Sequence, residues 1–202
     1  LVSGLYGAQA ICAALRAAAV SGEGRLIEAT LHETGLSLLA NFAGVGLMTD
    51  RSPTRSGNVN QVVQPAGVYM ASDGPFMHTV TKEAQFRALC SGVIGRPELA
   101  ADPRFATNTA RLANGAELRR ILGELFLSEQ RSAWVDRLRK VGVPAGSVAS
   151  VREALGSDLV RARGTVRRVR HRTAGSYPVL CSPPRLHATE ELADMGAPLL
   201  GE

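Results

Sequence analysis

Leu5, Ala8, Cys12, Leu15 and Ala19 recur at alternating spacings of three and four, the period that aligns side chains along one face of an α-helix. Gly22 and Gly24 follow, and glycine tolerates the left-handed conformation that ends helices. Arg25 to Leu31 alternates polar and apolar positions, which predicts a strand. His32 to Met48 returns to helical, small-residue-rich spacing. Helix, strand, helix with no strand before them predicts the closing part of a layered α/β sheet, its other strands supplied by sequence outside these residues.

Thr49 to Asn58 is polar and turn-rich, and Val59 to Pro65 has little periodicity, so this stretch reads as a linker or binding loop. Gly67 to Val80 carries two short apolar runs around Asp73-Gly74, a hairpin signal. Thr81 is positioned to cap a helix running toward Gly95. Arg96 to Phe105 is punctuated by Pro97 and Pro103 and predicts irregular chain or a single helical turn. Asn114 with Glu117 has the spacing of a capping box, ahead of an apolar stripe of Leu118, Ile121, Leu122, Leu125 and Phe126. Ser128 opens a further helix that turns Trp134, Leu138 and Val141 inward and stops at Gly142 before Pro144. Val151 to Leu155 predicts a short helix, Gly164 to Val169 a strand and Tyr177 to Pro184 an extended segment. Glu190 to Glu202 has little core-forming power and reads as a tail lying on another surface.

The 202 residues are 45% apolar and 20% charged, ordinary for a folded globular chain and incompatible with disorder throughout. Aromatic content is only 4%, so packing relies on small residues and close backbone approach. Lys plus Arg total 23 against 18 Asp plus Glu, a net charge of +5 carried almost wholly by Arg. That favours partners bearing phosphate or carboxylate. Nucleic acid is disfavoured, because neither zinc-ligand spacing nor stacking aromatics nor a recognition helix accompanies the charge. Cys12, Cys90 and Cys181 are odd in number and far apart, which argues against disulfides and metal clusters and for a reducing cytoplasm. Arg16 interrupts the apolar run from Leu1 to Val20, so neither a membrane span nor a secretory leader is expected there.

Four blocks together resemble the class III CoA-transferase (CaiB/BaiF) family, which also includes racemases of 2-methylacyl-CoA. The first is Ser3-Gly4-Leu5-Tyr6 through Gly22-Glu23-Gly24-Arg25. The second is Arg55-Ser56-Gly57-Asn58 with Pro65-Ala66-Gly67-Val68-Tyr69 and Asp73-Gly74. The third is Gly95-Arg96-Pro97-Glu98-Leu99 through Asn108 with Arg111. The fourth is Gly142-Val143-Pro144-Ala145-Gly146, Ala162-Arg163-Gly164 and the terminal Pro198 to Glu202. The resemblance implies an α/β fold: the end of a Rossmann-like large domain at 1–45, a linker loop at 46–64, a smaller α+β domain at 65–175 and a tail at 176–202 that returns to the large domain. It also implies an interlocked homodimer.

Family transferases move coenzyme A between an acyl-CoA and a small carboxylic acid, using an Asp carboxylate that forms a mixed anhydride and then an enzyme-bound thioester. Such a nucleophile needs proximity and oxyanion stabilisation. The resemblance puts that Asp immediately ahead of Leu1, so the isolated chain is expected to be inactive. Coenzyme A is then a substrate, with no covalently bound cofactor and no metal. A racemase of the same fold and a non-catalytic chain that binds a partner half are the alternatives.

Arg55, Gly57 and Asn58 resemble the family loop that approaches the substrate, where Gly allows close contact and Arg and Asn can donate to a thioester or phosphate; a surface turn is the plainer reading. Asn60-Gln61-Val62-Val63-Gln64 lacks the glycine-rich run some family members carry there. Glu83 occupies the position of a functional Glu in the racemase branch, while an acid in a first helical turn also simply complements the helix dipole. His32 and His78 read as packed or exposed histidines rather than bases, and His171 and His187 have less support still. Arg161, Arg163, Arg167, Arg168, Arg170 and Arg172 form a cluster suited to the phosphates of CoA or to a charge-protected strand edge.

Overall fold

The computed structural model describes residues 1–181, 183–184, 196–199 and 201. Two compact units result, Leu1–Gly57 and Asn58–Glu202, and each is treated by itself.

The first unit is helical: α1 (Val2–Ser21), α2 (Leu31–Ser37) and α3 (Asn41–Met48). Gly22 ends α1 at φ 76° and returns its N–H to Ala18, as its sequence position predicts. The expected strand from Arg25 to Leu31 does not form. An isolated strand leaves its backbone groups without a ladder, and among the described residues no strand lies alongside it. The expected helix from His32 to Met48 breaks into α2 and α3, where Ala40 takes φ 46°, a region that non-glycine residues rarely enter. Thr34 is the one buried residue of these three helices, whereas Leu26, Leu31, Leu47 and Met48 are each at least 80% exposed. This unit displays an apolar surface rather than enclosing a core.

The second unit holds the core. Strands β1 (Ala66–Ala71) and β2 (Gly74–Thr79) form an antiparallel hairpin, extended on the far side of β2 by β3 (Ala145–Ser147). Ala71 pairs with Gly74, so the turn is Ser72-Asp73, one residue ahead of the expected Asp73-Gly74, and Gly74 opens β2 at φ 141°. The three-residue β3 was not expected; Pro144 and its neighbours give no alternation to read.

Helix α4 (Glu83–Ala88) begins after Lys82 rather than Thr81, because the Gln85 side chain reaches back to the N–H groups of both Thr81 and Lys82. It passes into a π-helical turn at Leu89–Val93. Helix α5 (Glu98–Ala101) is the single turn expected between the prolines, and α6 (Asn108–Ala113) is capped by the Thr107 hydroxyl, which accepts from Ala110 N–H. Helix α7 (Gly115–Phe126) starts where expected, but the capping box is not made: Asn114 donates its side-chain amide to the carbonyls of Arg104 and Ala110, and Glu117 pairs with Arg120. Helix α8 (Arg131–Lys140) starts after Gln130, while Ser128 turns back to Leu125 and closes α7 instead.

Leu118, Leu122 and Phe126 of α7 and Trp134, Val135 and Leu138 of α8 are buried against the hairpin. Phe126 is their hub: Tyr69, Phe76 and Trp134 meet its ring edge-on at centroid distances of 5.2, 5.1 and 5.2 Å, the preferred aromatic geometry. Trp134 also donates its indole N–H to the Phe126 carbonyl at 2.8 Å.

Beyond this core come α9 (Val151–Leu155), α10 (Asp158–Ala162) and a hairpin of β4 (Val166–His171) and β5 (Gly175–Leu180). Strand β4 lies two residues later than the expected Gly164 to Val169. Residues 176–180, expected to open the returning tail, pair with β4. His187 and most of the Glu190 to Glu202 tail lie outside the described residues.

Gly67 shows how tightly the loop ahead of β1 is packed. A Cβ at this position would fall 2.2 Å from the Asn58 carbonyl oxygen, and φ is already 135°. Gly67→Ala is therefore expected to destabilise the second unit by about 2 kcal/mol or more. Urea unfolding followed by Trp134 fluorescence measures it, and an unmoved midpoint would show that the loop yields freely.

Candidate functional site

Among the described residues of the second unit, Arg111, on α6, is the buried cation, only 1% exposed. Its Nη1 donates to the Glu83 carboxylate at 2.8 Å and to the Phe105 carbonyl at 2.8 Å, and its Nε donates to the Gln64 carbonyl at 2.6 Å. The guanidinium lies over the Phe86 ring, 4.3 Å from its centroid, a cation–π contact. A cation this deep is tolerated because charge and donors are matched together.

Glu83 heads α4 with its side chain 41% exposed. One carboxylate oxygen takes the Arg111 bond and the other accepts from Asn108 N–H at 2.8 Å. The hydrogen bond from Arg111, reinforced by Asn108, holds the carboxyl below its ordinary range against a partial desolvation effect. Glu83 is thus ionised and bound at both oxygens.

Asn108, three residues before Arg111 on α6, faces the segment ahead of β1. Its Oδ1 accepts from Gln64 N–H at 3.0 Å and its Nδ2 donates to the Val62 carbonyl at 2.8 Å. Glu83, Arg111 and Asn108 therefore meet around buried Gln64. In the sequence Asn108 and Arg111 share one motif while Glu83 stands apart from it, and nothing local joins the three. The available signal was the three-residue spacing of Asn108 and Arg111, which places both on one helix face.

The expected substrate-binding residues fall where the two units divide: Arg55 and Gly57 in the first, Asn58 in the second. All three are exposed, and Gly57 has φ 58°, which favours glycine. The structure brings Asn58 against Gly67.

His78 lies on β2 with 1% exposure, and its ring stacks 4.9 Å from Tyr69 and meets Phe126 at 5.5 Å. Among the described residues, neither ring nitrogen has a hydrogen-bond partner. Burial, with the Arg119 charge adding to it, pushes its pKa down to about 4. Burial likewise raises the Tyr69 hydroxyl to about 12, against the pull of Arg119, and raises the Cys90 thiol to about 12, which leaves no thiolate for nucleophilic work. His32 is exposed, and His171 Nδ1 accepts from Thr173 and Ala174 N–H in the β4–β5 turn.

In the arginine cluster, Arg161 bonds Asp158 and the Gly156 carbonyl, and Arg168 reaches Ser176 across the hairpin. Beside them lies an open hollow of about 500 Å³ lined by Leu155, Val160, Val166, Pro178, Val179 and Leu180, with Arg161 the charged residue among the described ones. Among the described residues, its lining holds no carboxylate or imidazole and shares no residue with the Glu83–Arg111 network. Among the described residues, no group of three His, Cys, Asp or Glu could hold a metal, and no helix is long and apolar enough to cross a membrane.

Solved structures, a CaiB/BaiF family protein among them, share this mixed α/β fold. One from Brucella suis superposes with a TM-score of 0.78 at 33% identity, covering 98% of this chain and 51% of that one. Rv3272 from M. tuberculosis superposes at 0.79 and 25% identity, over 93% of this chain and 49% of its own. The sequence pattern of CoA-transferase family III matches residues 1–202. The chain belongs to that family. It is 32% identical to succinate–glutarate CoA-transferase of Agrobacterium fabrum over all 202 residues, half of that relative's length. It is also 34% identical over 154 residues to acetyl-CoA:oxalate CoA-transferase of Acetobacter aceti, covering 76% of this chain and 39% of the relative. The chain thus spans about half the length of the relatives it matches.

Proposed function

We propose that this chain is part of an enzyme that moves coenzyme A from an acyl-CoA to a short dicarboxylic acid. The observation that carries the reading is the family match over the whole chain, together with relatives named for succinate, glutarate and oxalate. In the reaction the family resemblance implies, a carboxylate ahead of Leu1 attacks the thioester carbonyl and releases CoA thiolate as a mixed anhydride forms. The thiolate then attacks the enzyme's own carbonyl, freeing the donor acid and leaving an enzyme thioester. The acceptor acid repeats these steps in reverse.

On this reading Arg55, Gly57 and Asn58 contact the substrate: Arg55 and Asn58 donate hydrogen bonds, and Gly57 permits close approach. Leu5, Leu15, Leu26 and Leu47, all exposed in the first unit, are the surface that a Rossmann-like large domain would cover. The same exposure supports the alternative of a non-catalytic chain that binds a partner half. We place the enzyme in the cytoplasm as an interlocked homodimer, as the resemblance implies.

A racemase would need Glu83 as a base, and a carboxylate bound by Arg111 and Asn108 with its pKa lowered is a weak one. The test is run on the intact protein as its gene encodes it. CoA transfer between two acids is expected, without deuterium uptake at the α-carbon of a 2-methylacyl-CoA. Glu83→Gln is expected to retain transfer, with a loss far below the ~10²–10⁴-fold that removing a general base costs. Rapid α-deuteration in the wild type, abolished in Glu83→Gln, would establish the racemase instead.

A further inference from the structure

The stretch of residues 58–66 contains no glycine, the residue that most loosens a backbone. Its polar groups are instead fixed in a consistent scheme. The Asn60 side chain accepts from the N–H groups of Val62 and Val63 at 2.8 and 3.0 Å. The side chain of Gln64, 3% exposed, donates to the Asn60 carbonyl at 2.8 Å. Asn108 then takes hold from outside. Its side-chain amide imitates a neighbouring strand, accepting from Gln64 N–H and donating to the Val62 carbonyl. Its backbone N–H is tied to Glu83, and Arg111 binds the Gln64 carbonyl. At the loop's upstream end, the Asn58 carbonyl fits closely over Gly67.

We infer that Asn108 is a positioning residue, which holds the Asn58–Pro65 loop rigid in its substrate-ready form so that Asn58 is preset rather than delivered by loop closure. The inference rests on the CoA-transfer reading above. Its physical content is preorganisation: a loop ordered before binding does not lose that conformational freedom when substrate arrives, so binding is tighter for the same contacts. Asn108 itself touches no substrate in this account. Its influence travels through Val62 and Gln64.

The experiment compares wild-type intact protein with Asn108→Ala and Asn108→Asp. Asn108→Asp keeps the acceptor for Gln64 N–H but sets an oxygen against the Val62 carbonyl. Hydrogen exchange is read at Val62, Val63 and Gln64, and kcat and KM are read separately for acyl-CoA and acceptor acid. The expected result is a protected Gln64 amide that loses protection in Asn108→Ala, with KM for acyl-CoA raised about tenfold and kcat at saturation much less affected. Asn108→Asp should fall between. A Gln64 amide that exchanges equally fast in wild type and Asn108→Ala would overturn the inference. So would a loss of kcat that merely follows the folded fraction with KM unchanged. Wild-type protein that transfers no CoA would sink the functional reading instead, and the exchange comparison would still decide whether Asn108 holds the loop.

Discussion

Replacing Arg111 with Met is expected to lower the stability of the second unit by about 3 kcal/mol, the largest single loss among the substitutions considered. Met fills much of the same volume and removes the cost of burying a cation. It also leaves the Gln64 and Phe105 carbonyls without their donor inside the protein, and an orphaned buried acceptor costs roughly 1–3 kcal/mol. Glu83, with its partly exposed side chain, can turn to water and loses less. At a urea dependence of about 2 kcal/mol per molar, the midpoint should fall by ~1.5 M. Trp134 is the sole tryptophan of these 202 residues and sits in the affected core, so its fluorescence reports the transition locally. A midpoint within experimental error of wild type would mean that Arg111 is not the brace described.

The second large effect is a loss of stability on mild acidification, traced to His78. The unfolded histidine titrates at its ordinary 6.5 and the folded one at about 4, so the unfolded chain takes up the proton first as the pH falls. The contribution of neutral His78 is whole above pH 6.5, declines between 6.5 and about 4, and is lost below. At ~1.4 kcal/mol per pH unit this amounts to roughly 3 kcal/mol. The ring is packed against Tyr69 of β1, Phe76 of β2 and Phe126 of α7. The charged group acting on it is Arg119 of α7, which opposes a second positive charge. Paired carboxylates such as Glu83 and Glu153 act in a separate window, losing their contribution only below their ordinary 4.5. His78→Phe should remove the slope between pH 6.5 and 4.5 and equal or exceed wild-type stability at pH 7, since two unsatisfied ring nitrogens disappear with it. Identical pH slopes in wild type and His78→Phe would contradict the assignment.

What could be read from sequence divides along physical lines. Helix α1 with its Gly22 stop, the β1–β2 hairpin and the α7 stripe through Leu118, Leu122 and Phe126 are local patterns that their own residues determine. Arg25 to Leu31 has a strand's alternation, yet alternation records only a readiness to pair. Asn114 and Glu117 have capping-box spacing, but Asn114 found better acceptors in Arg104 and Ala110, a competition that no spacing rule weighs. Glu83 and Arg111 stand 28 residues apart, and their pairing exists only once α4 and α6 have packed. The family, by contrast, was legible, because its short blocks sit at turns such as Gly57 and Gly142 where backbone geometry restricts the residue.

Carboxylate-mediated CoA transfer, the function proposed for the intact protein, is tested most directly by following oxygen. Intact protein is turned over with unlabelled acyl-CoA and an ¹⁸O-carboxylate acceptor. In that reaction the acceptor would leave one labelled oxygen on the enzyme carboxylate when its acyl group departs as the thioester, and because either oxygen of that carboxylate can attack the next acyl-CoA, the label passes to donor acid over successive turnovers. Labelled donor acid, accumulating in step with new acyl-CoA, is the expected result. Donor acid that stays unlabelled, or takes its oxygen only from labelled water, would contradict it.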